Sequence, residues 1–227
     1  MKEQIYTIPI NEAFEKKDGC PVCRLAQNLE NDSVSYVMGA AMMEPDIRIE
    51  TNKLGFCHRH FEKMLSLNNR LSMGLILESH LPEICKKLPS SNWKRNSESS
   101  REKIDNVSHS CYVCSRAGQF MKHYYENIIY LWKNDPAFRD KFSSQPYFCL
   151  PHHSTLLSYG EKALSKQEYS DFFDSLKKTN EDYLSSLQKD VSLFCKSFDY
   201  RFSGIELGEA KSAVERAALF LSGNGSL

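Results

Sequence analysis

Eight side chains with metal-binding chemistry stand in four short motifs of this 227-residue chain. Two motifs are CxxC pairs and two are CxxH pairs, and they alternate along the chain. Three thiolates and one imidazole complete a tetrahedral shell for Zn²⁺, and two ligands three positions apart on a helix turn can face one ion. The motifs therefore predict two zinc ions per chain, bound by Cys20, Cys23, Cys57, His60, Cys111, Cys114, Cys149 and His152.

The spacing of the motifs suggests how the ligands pair. Each CxxC is followed by a CxxH at nearly the same interval, from Cys23 to Cys57 and from Cys114 to Cys149. We therefore expect each half of the chain to build its own cage, at the start of helices whose N-terminal N–H groups stabilise thiolates. The expected sets are Cys20, Cys23, Cys57 and His60, then Cys111, Cys114, Cys149 and His152.

Further residues repeat with the motifs and indicate an internal duplication. An acid-Pro-x-x-Arg segment precedes each CxxH, at Glu44–Arg48 and at Asp135–Arg139, and an aromatic residue, Phe56 or Phe148, stands directly before each. A centre with three thiolates and Zn²⁺ carries one negative charge. The two arginines, Arg48 and Arg139, are therefore candidates to neutralise it from outside the ligand shell. The alternative is that both are exposed or paired with carboxylates.

Two histidines lie beside the candidate ligands. His58 follows its cysteine by one position and His153 by four, whereas only the three-position offset is common to both halves. We interpret His58 and His153 as surface residues or as residues outside the ligand shell that support it. Cys85 and Cys195 lie among apolar residues, which predicts small core side chains rather than reactive thiols.

The composition excludes several classes of protein. The chain has 29 Lys and Arg against 29 Asp and Glu, and 41% of its residues are hydrophobic. A neutral chain with this apolar content is not typical of a disordered tail or of a strongly basic nucleic-acid binder. No run of 18 apolar residues and no apolar signal segment occurs. We expect a cytoplasmic protein without membrane or nucleic-acid partners.

The periodicity of apolar residues predicts a mostly α fold, a helical bundle built on the duplication. We expect a first zinc-binding half over 1–88, a Ser- and charge-rich flexible connector over 89–110, and a second zinc-binding half over 111–227 that ends in long helices.

Within this plan, the first residues are expected to be extended up to Asn11, and one long helix is expected over 60–88. Ser165 and Glu168 form a capping box that predicts the start of another long helix.

Four segments resemble a known family. The runs MEPDIRIETNKLGFCHRHFEKM, NRLSMGLILESHL, FCLPHHSTLL and FDYRF are similar to DUF6062, a family of bacterial proteins of unknown function. The resemblance spans nearly the whole chain. It implies a bacterial, cytoplasmic protein, and it supplies no catalytic residues.

The ligand count favours a non-catalytic protein, because a catalytic zinc usually has three protein ligands and an open position. We therefore expect an interaction or regulatory module that binds an unknown protein partner. A thiol-based redox switch that releases zinc on oxidation is also compatible with the motifs. The CPVC motif resembles a thioredoxin-like dithiol, but the preceding residues AFEKKDG do not form an apolar strand.

The sequence is also compatible with an iron–sulfur protein and, less well, with an enzyme. Three cysteines and a histidine can hold an iron–sulfur cluster. An enzyme is less expected, since its best candidate pocket is a polar cluster before the first CxxH that is equally well explained as turn-building and solvated residues. That cluster contains Glu44, Asp46, Arg48, Thr51 and Asn52.

Overall fold

The computed structural model describes residues 2–88, 93–202 and 204–224. This part of the chain contains eleven α-helices and three short 3₁₀ helices, and no β-strand. The prediction of a mostly α fold is confirmed, and the duplication remains a prediction from sequence. No helix among these residues is long and apolar enough to cross a membrane.

The α-helices have the following bounds. In chain order they are α1 (Lys2–Glu15), α2 (Pro21–Met38), α3 (Pro45–Leu54), α4 (His58–Ser66), α5 (Arg70–Lys87), α6 (Trp93–Ser108), α7 (Tyr112–Asn134), α8 (Pro136–Ser143), α9 (Leu150–Ala163), α10 (Lys166–Lys196) and α11 (Ala213–Ser222).

The chain packs into two compact units that differ from the two halves expected from the sequence. One unit combines the chain up to Gln27 with the chain from Met121 onward, and the other is Asn28–Phe120. The boundaries fall inside α2 and α7 rather than in the segment 89–110. The first unit is therefore assembled from the two ends of the chain, and the second from its middle.

Aromatic side chains form the core of the first unit. Phe14, Phe138, Phe142, Phe148 and Phe172 are all fully buried. The rings of Phe142 and Phe148 are stacked with centroids 4.5 Å apart, and Phe14 lies 4.9 Å from Phe138. This cluster joins α1, α8 and α10 to the residues directly before Cys149, so the core fixes the backbone that leads into the second CxxH.

The second unit has a core of aliphatic and methionine side chains. Val34, Val37 and Met38 from α2 are buried together with Met64 from α4 and Ile76 from α5. The same cluster includes Phe56, Tyr112 and Val113, which flank cysteines of the motifs. Packing of these neighbours places the start of α4 and the start of α7 in one apolar environment.

The N-terminal segment and the long helix expected over 60–88 differ from the prediction. Residues 2–15 form α1 rather than an extended strand, because Ile10, Ala13 and Phe14 recur at helical spacing on one buried face. The long helix divides into α4 and α5. Asn68 has a positive φ of 56° and Asn69 accepts a hydrogen bond from the Ser72 N–H as an N-cap.

The prediction of a flexible connector is also wrong, because Trp93–Ser108 is helix α6. This segment has no proline or glycine to end a helix, and it packs against α3 and α5. Tertiary packing therefore stabilises a helix whose polar sequence favours exposed loop. The capping box at Ser165 is confirmed, since its hydroxyl accepts from the Glu168 N–H and the Glu168 carboxylate accepts from the Ser165 N–H.

Candidate metal centres

The first cluster lies in the unit formed by the two chain ends. Cys20, Cys23, Cys149 and His152 are all buried, and their potential ligand atoms lie within 4.8 Å of one another. The Sγ atoms of Cys23 and Cys149 are 3.5 Å apart. The Nδ1 atom of His152 lies 3.0 Å from the Cys149 sulfur, 3.3 Å from that of Cys23 and 3.6 Å from that of Cys20.

The second cluster has the same composition and lies in the unit Asn28–Phe120. Cys57, His60, Cys111 and Cys114 again bring four potential ligand atoms within 4.8 Å of one another. The Nδ1 atom of His60 lies 3.2 Å from the sulfurs of both Cys57 and Cys111 and 3.4 Å from that of Cys114. Cys57 and Cys114 are half-buried, and their sulfurs lie 3.9 Å from each other.

These clusters contradict the pairing expected from the spacing. Each CxxC meets the CxxH of the other half of the sequence, so Cys20 lies with His152 and Cys111 lies with His60. The interval from Cys23 to Cys57 contains α2, whose 18 residues extend about 27 Å, and α3. These helices carry the chain into the other packing unit before the first CxxH is reached.

All four motifs stand at the start of a helix, as the sequence predicted. Cys57 and Cys149 are the residues that cap α4 and α9, and Cys20 and Cys111 directly precede the first residues of α2 and α7. The second ligand of each motif therefore lies in the first helical turn. The N–H groups of these turns give a local positive potential that favours thiolates.

The donor atoms of the first cluster strongly influence one another's protonation. Hydrogen bonds from Cys149 and Cys20 hold the pKa of Cys23 far below its usual range, while burial raises the pKa of Cys20. Burial alone would lower the pKa of His152, but its hydrogen bonds with Cys149 and Cys23 raise it to about 9. The protein without an ion thus pairs a thiolate with an imidazolium in this cluster.

The second cluster shows the same separation of thiol acidities. The hydrogen bond with Cys114 lowers the pKa of Cys111 to about 3. The same bond, together with burial, raises the pKa of Cys114. A negative charge is therefore already present where a cation would bind.

Glu30 contacts the second cluster, and the sequence reasoning missed it. Its carboxylate is 7% exposed and its Oε1 atom lies 2.6 Å from Nε2 of His60, on the side of the ring opposite the three sulfurs. Lys63 donates to Glu30 at 2.8 Å, and the Arg59 guanidinium forms an ion pair with it at 2.9 Å. A carboxylate on the outer nitrogen of a histidine fixes the tautomer that presents Nδ1 to a metal. The available signal in the sequence was an acidic residue at helical spacing between the apolar residues Ala26 and Val34.

Gly223 and Gly55 have positive φ and lie close to the clusters. Gly223, which ends α11, has φ 71° and ψ −178°, and a Cβ atom there would lie 3.3 Å from the Cys149 sulfur. Gly55, two residues before Cys57, has φ 61° and ψ −158°. Only glycine adopts this region without strain. The backbone of Gly223 therefore packs directly over the first cluster.

The comparison with known families identifies the chain. A model described as "Family of unknown function (DUF6062)" matches residues 1–226. The chain belongs to the DUF6062 family. No curated protein and no solved structure matches it. The resemblance found in the sequence is confirmed, and it adds no activity.

The two arginines of the repeated segments have a different role in this DUF6062 protein from the one expected. Arg48 donates to the carbonyls of Met42 and Leu75, both at 2.8 Å. Arg139 donates to the carbonyls of Trp132 and Lys133, and its guanidinium lies 4.4 Å from the Trp132 ring.

The cause is local. In both segments proline begins a helix, and the arginine that follows reaches back to carbonyls at the end of the preceding helix, that of Met42 for Arg48 and those of Trp132 and Lys133 for Arg139. Arg48 also bonds the Leu75 carbonyl inside α5, so both guanidinium groups are occupied by backbone carbonyls rather than by thiolates.

The remaining histidines and cysteines of the DUF6062 chain lie outside both clusters. The side chain of His58 is 88% exposed and pairs with Glu62, as expected for a surface residue. His153 accepts a hydrogen bond from Asn180, whose amide also donates to the Phe148 carbonyl. It therefore supports the backbone before Cys149.

Cys85 and Cys195 are exposed, so the prediction that they are core residues is wrong. Their apolar neighbours in sequence are not core residues either, since Leu81, Leu88 and Phe198 are all more than half exposed. Because these two thiols lie outside both clusters, substituting them is a control for substitutions of the eight clustered side chains.

Proposed function

We propose that this chain is a non-catalytic protein that binds two Zn²⁺ ions, one in each cluster, and acts as an interaction or regulatory module. The observation that carries this proposal is that each cluster brings together four donor side chains within 4.8 Å. An ion with four protein ligands has no open position for a substrate or a water nucleophile. This is the arrangement of structural zinc sites.

The donor separations fit a single tetrahedral ion. Zn–S bonds of about 2.3 Å and Zn–N bonds of about 2.0 Å imply roughly 3.5 to 3.8 Å between neighbouring ligand atoms. The close separations in the two clusters run from 3.0 to 3.9 Å. An ion would replace the thiol and imidazolium protons and neutralise thiolates that are otherwise buried together.

The structural role follows from what each cluster joins. The first connects the starts of α2 and α9, although Cys23 and Cys149 are 126 positions apart in sequence. The second connects the starts of α4 and α7. Because these ligands are distant along the chain, an ion that binds only the folded arrangement stabilises it strongly.

Native mass spectrometry of the purified chain, before and after chelation, tests this proposal. We expect two zinc ions per chain, and a large loss of helical circular dichroism when both are removed. The variant with Cys85→Ser and Cys195→Ser is the matched control and should retain both ions, because its cysteines lie outside the clusters. A purified chain that carries no metal and takes up none when zinc is supplied would overturn the proposal.

The same distances bear on the iron–sulfur alternative. A cluster of several iron atoms distributes its cysteine ligands over different irons, which requires wider separation than ligands of one ion. Donor atoms no more than 4.8 Å apart favour a single ion. Visible absorption of the chain purified without oxygen checks this, since a cluster gives a brown protein and zinc a colourless one.

A redox switch is the second candidate, and one observation favours it. A cavity of about 250 Å³ is lined by Cys20, Cys23, Gln27 and Leu219. A hydroperoxide that enters it would be cleaved at its O–O bond, accept two electrons and yield an alcohol and water, while the two sulfurs join in a disulfide. The loss of two thiolate ligands would release the ion.

Peroxide treatment of the zinc-loaded Cys85→Ser, Cys195→Ser chain separates these two functions. A purely structural pair of sites keeps both ions under mild treatment. A switch instead loses one ion and gains one disulfide joining Cys20 to Cys23, and dithiothreitol with zinc restores the original mass.

The interaction role rests on exposed aromatic residues after α10. Phe198 is 77% exposed and Tyr200 is 85% exposed, which is unusual for large apolar side chains. A photo-crosslinking residue at position 200 should give one discrete adduct with a protein in the source cells. The same residue at position 130, where Tyr130 is 43% exposed, is the control. Equal labelling from both positions would contradict a specific surface.

A further inference from the structure

A polar cavity lies beside the second cluster but does not include its ligands. It has a volume of about 210 Å³ and is formed by the end of α3 and the first two turns of α7. The residues of α7 stand at positions 112, 115, 116 and 119, which share one helix face. The polar side chains that line it are Glu50, Lys53, Tyr112, Ser115, Arg116 and Gln119.

Arg116 stacks against two aromatic rings. Its guanidinium carbon lies 4.5 Å from the centroid of the Tyr36 ring and 5.5 Å from that of Phe120. Among the described residues it donates to no carbonyl and pairs with no carboxylate. Stacking of this kind orients the guanidinium plane and leaves its N–H edge for planar recognition of an oxyanion.

The other polar groups add donors and one acceptor. Lys53 is exposed and forms no ion pair with a described residue, so the cavity carries two cations against the single carboxylate of Glu50. The Tyr112 side chain is 3% exposed, and its hydroxyl has no hydrogen-bond partner in the described chain.

We propose that this cavity binds a small organic oxyanion, a carboxylate or a phosphate ester, that also carries an ammonium or hydroxyl group. The Arg116 fork and Lys53 would bind the oxyanion, with Ser115 and Gln119 as further donors. Glu50 would accept from the ammonium or hydroxyl group of the same ligand. This function is separate from metal binding, because none of the six side chains belongs to a cluster.

Binding can be measured on the zinc-loaded full chain by ¹H–¹⁵N NMR at constant ionic strength. The probes are inorganic phosphate, phosphoethanolamine, acetate and glycine. We expect saturable shifts at Ser115, Arg116 and Gln119, with the two probes that carry an ammonium group binding about fivefold more tightly than their partners without one. Glu50→Gln should abolish that preference and leave phosphate binding intact.

Two cation variants and one control complete the test. Arg116→Ala should weaken the binding of phosphoethanolamine at least about tenfold. Lys53→Gln should weaken this binding by a smaller factor, and it leaves the stacking on the aromatic rings unchanged. Arg70→Ala removes an exposed arginine of the same unit outside the cavity and should change nothing. The proposal is overturned if no probe saturates below about 50 mM. It is also overturned if Lys53→Gln and Arg70→Ala have equal effects.

Discussion

At the scale of single residues, the two clusters differ in the support given to their histidines. His60 is completely buried and shares its outer nitrogen with Glu30, whereas no carboxylate among the described residues lies within 4 Å of the ring nitrogens of His152. Charge from Glu30 is in turn balanced by Lys63 and Arg59. The histidine of the second cluster is therefore held in its orientation by more contacts than the histidine of the first.

Substitution of Glu30 by glutamine should weaken zinc binding at the second cluster alone. The amide keeps the size of the side chain but loses the charge that orients His60 and raises its basicity, which typically costs about 10 to 100-fold in metal affinity. Competition with a chromophoric chelator, read by native mass spectrometry, measures the two sites separately. Glu62→Gln, an exposed change on α4, is the control. Equal weakening of both sites would contradict a specific role for Glu30.

Zinc binding to the first cluster should strengthen as the pH rises. The folded protein without metal holds the pKa of His152 at about 9, above its ordinary value of 6.5. The imidazolium form therefore stabilises that fold fully below pH 6.5, and this contribution is lost as the pH rises through 9. A metal requires the neutral ring, so binding near pH ~7.5 must release this proton.

Calorimetry in two buffers with different ionisation heats measures the proton released. The variant with Cys57→Ser and Cys114→Ser isolates the first cluster for this experiment. We expect the apparent affinity to increase steadily between pH 6.5 and 9. An affinity that does not change over this range is incompatible with the imidazolium assignment.

At the scale of elements, the repeated segments contain the residues that start helices. A proline after an acidic residue begins α3 and α8, an arginine secures the end of the helix before, and a cysteine caps α4 and α9. The C-terminal helix α11 adds a different element to the first cluster. It ends at Gly223, whose backbone lies against the Cys149 sulfur.

Gly223→Ala should destabilise the first unit. Its φ of 71° with ψ of −178° is a glycine region, and the new methyl group would contact the Cys149 sulfur at 3.3 Å. The backbone strain alone costs about 1 to 3 kcal/mol. Thermal unfolding of the zinc-loaded protein measures the loss.

Gly118→Ala provides the opposite control. It lies inside α7 and has no atom within 4 Å of the added carbon, so it should stabilise by about 0.5 to 1 kcal/mol. If the two substitutions had the same effect on the midpoint of thermal unfolding, close packing of Gly223 over the cluster would be refuted.

At the scale of the whole molecule, the decisive feature is which motifs come together in one cluster. The chain ends supply one CxxC and one CxxH to the first unit, and the middle of the chain supplies the remaining two motifs to the second. Each cluster therefore takes its CxxC from one half of the sequence and its CxxH from the opposite half.

Two double variants distinguish this arrangement from the one expected from spacing. Cys20→Ser with Cys149→Ser removes two ligands of one cluster and should cost one zinc ion. Cys20→Ser with Cys57→Ser damages both clusters and should cost two. Native mass spectrometry counts the ions, and pairing within each half of the sequence requires the reverse result. Each protein carries the Cys85→Ser, Cys195→Ser background, so that exposed thiols do not bind stray metal.

The sequence by itself determined the candidate ligand types, the helix starts at the four motifs and the mostly α fold. These depend on local rules, since two donors three positions apart at the start of a helix face the same side whatever the rest of the chain does. The repeated spacing also made the candidate set of eight residues easy to recognise. Glu30 and the cavity around Arg116 required the structure, because their partners come from other helices.

Only the tertiary structure decided how the four motifs pair. Closing a loop of 126 positions, as between Cys23 and Cys149, costs only about 1 kcal/mol more than closing the shorter interval from Cys23 to Cys57. Burying one or two large side chains outweighs that difference. The partition of the ligands is therefore set by the packing of the Phe14 and Phe148 core in one unit and of the Val34 and Met64 core in the other.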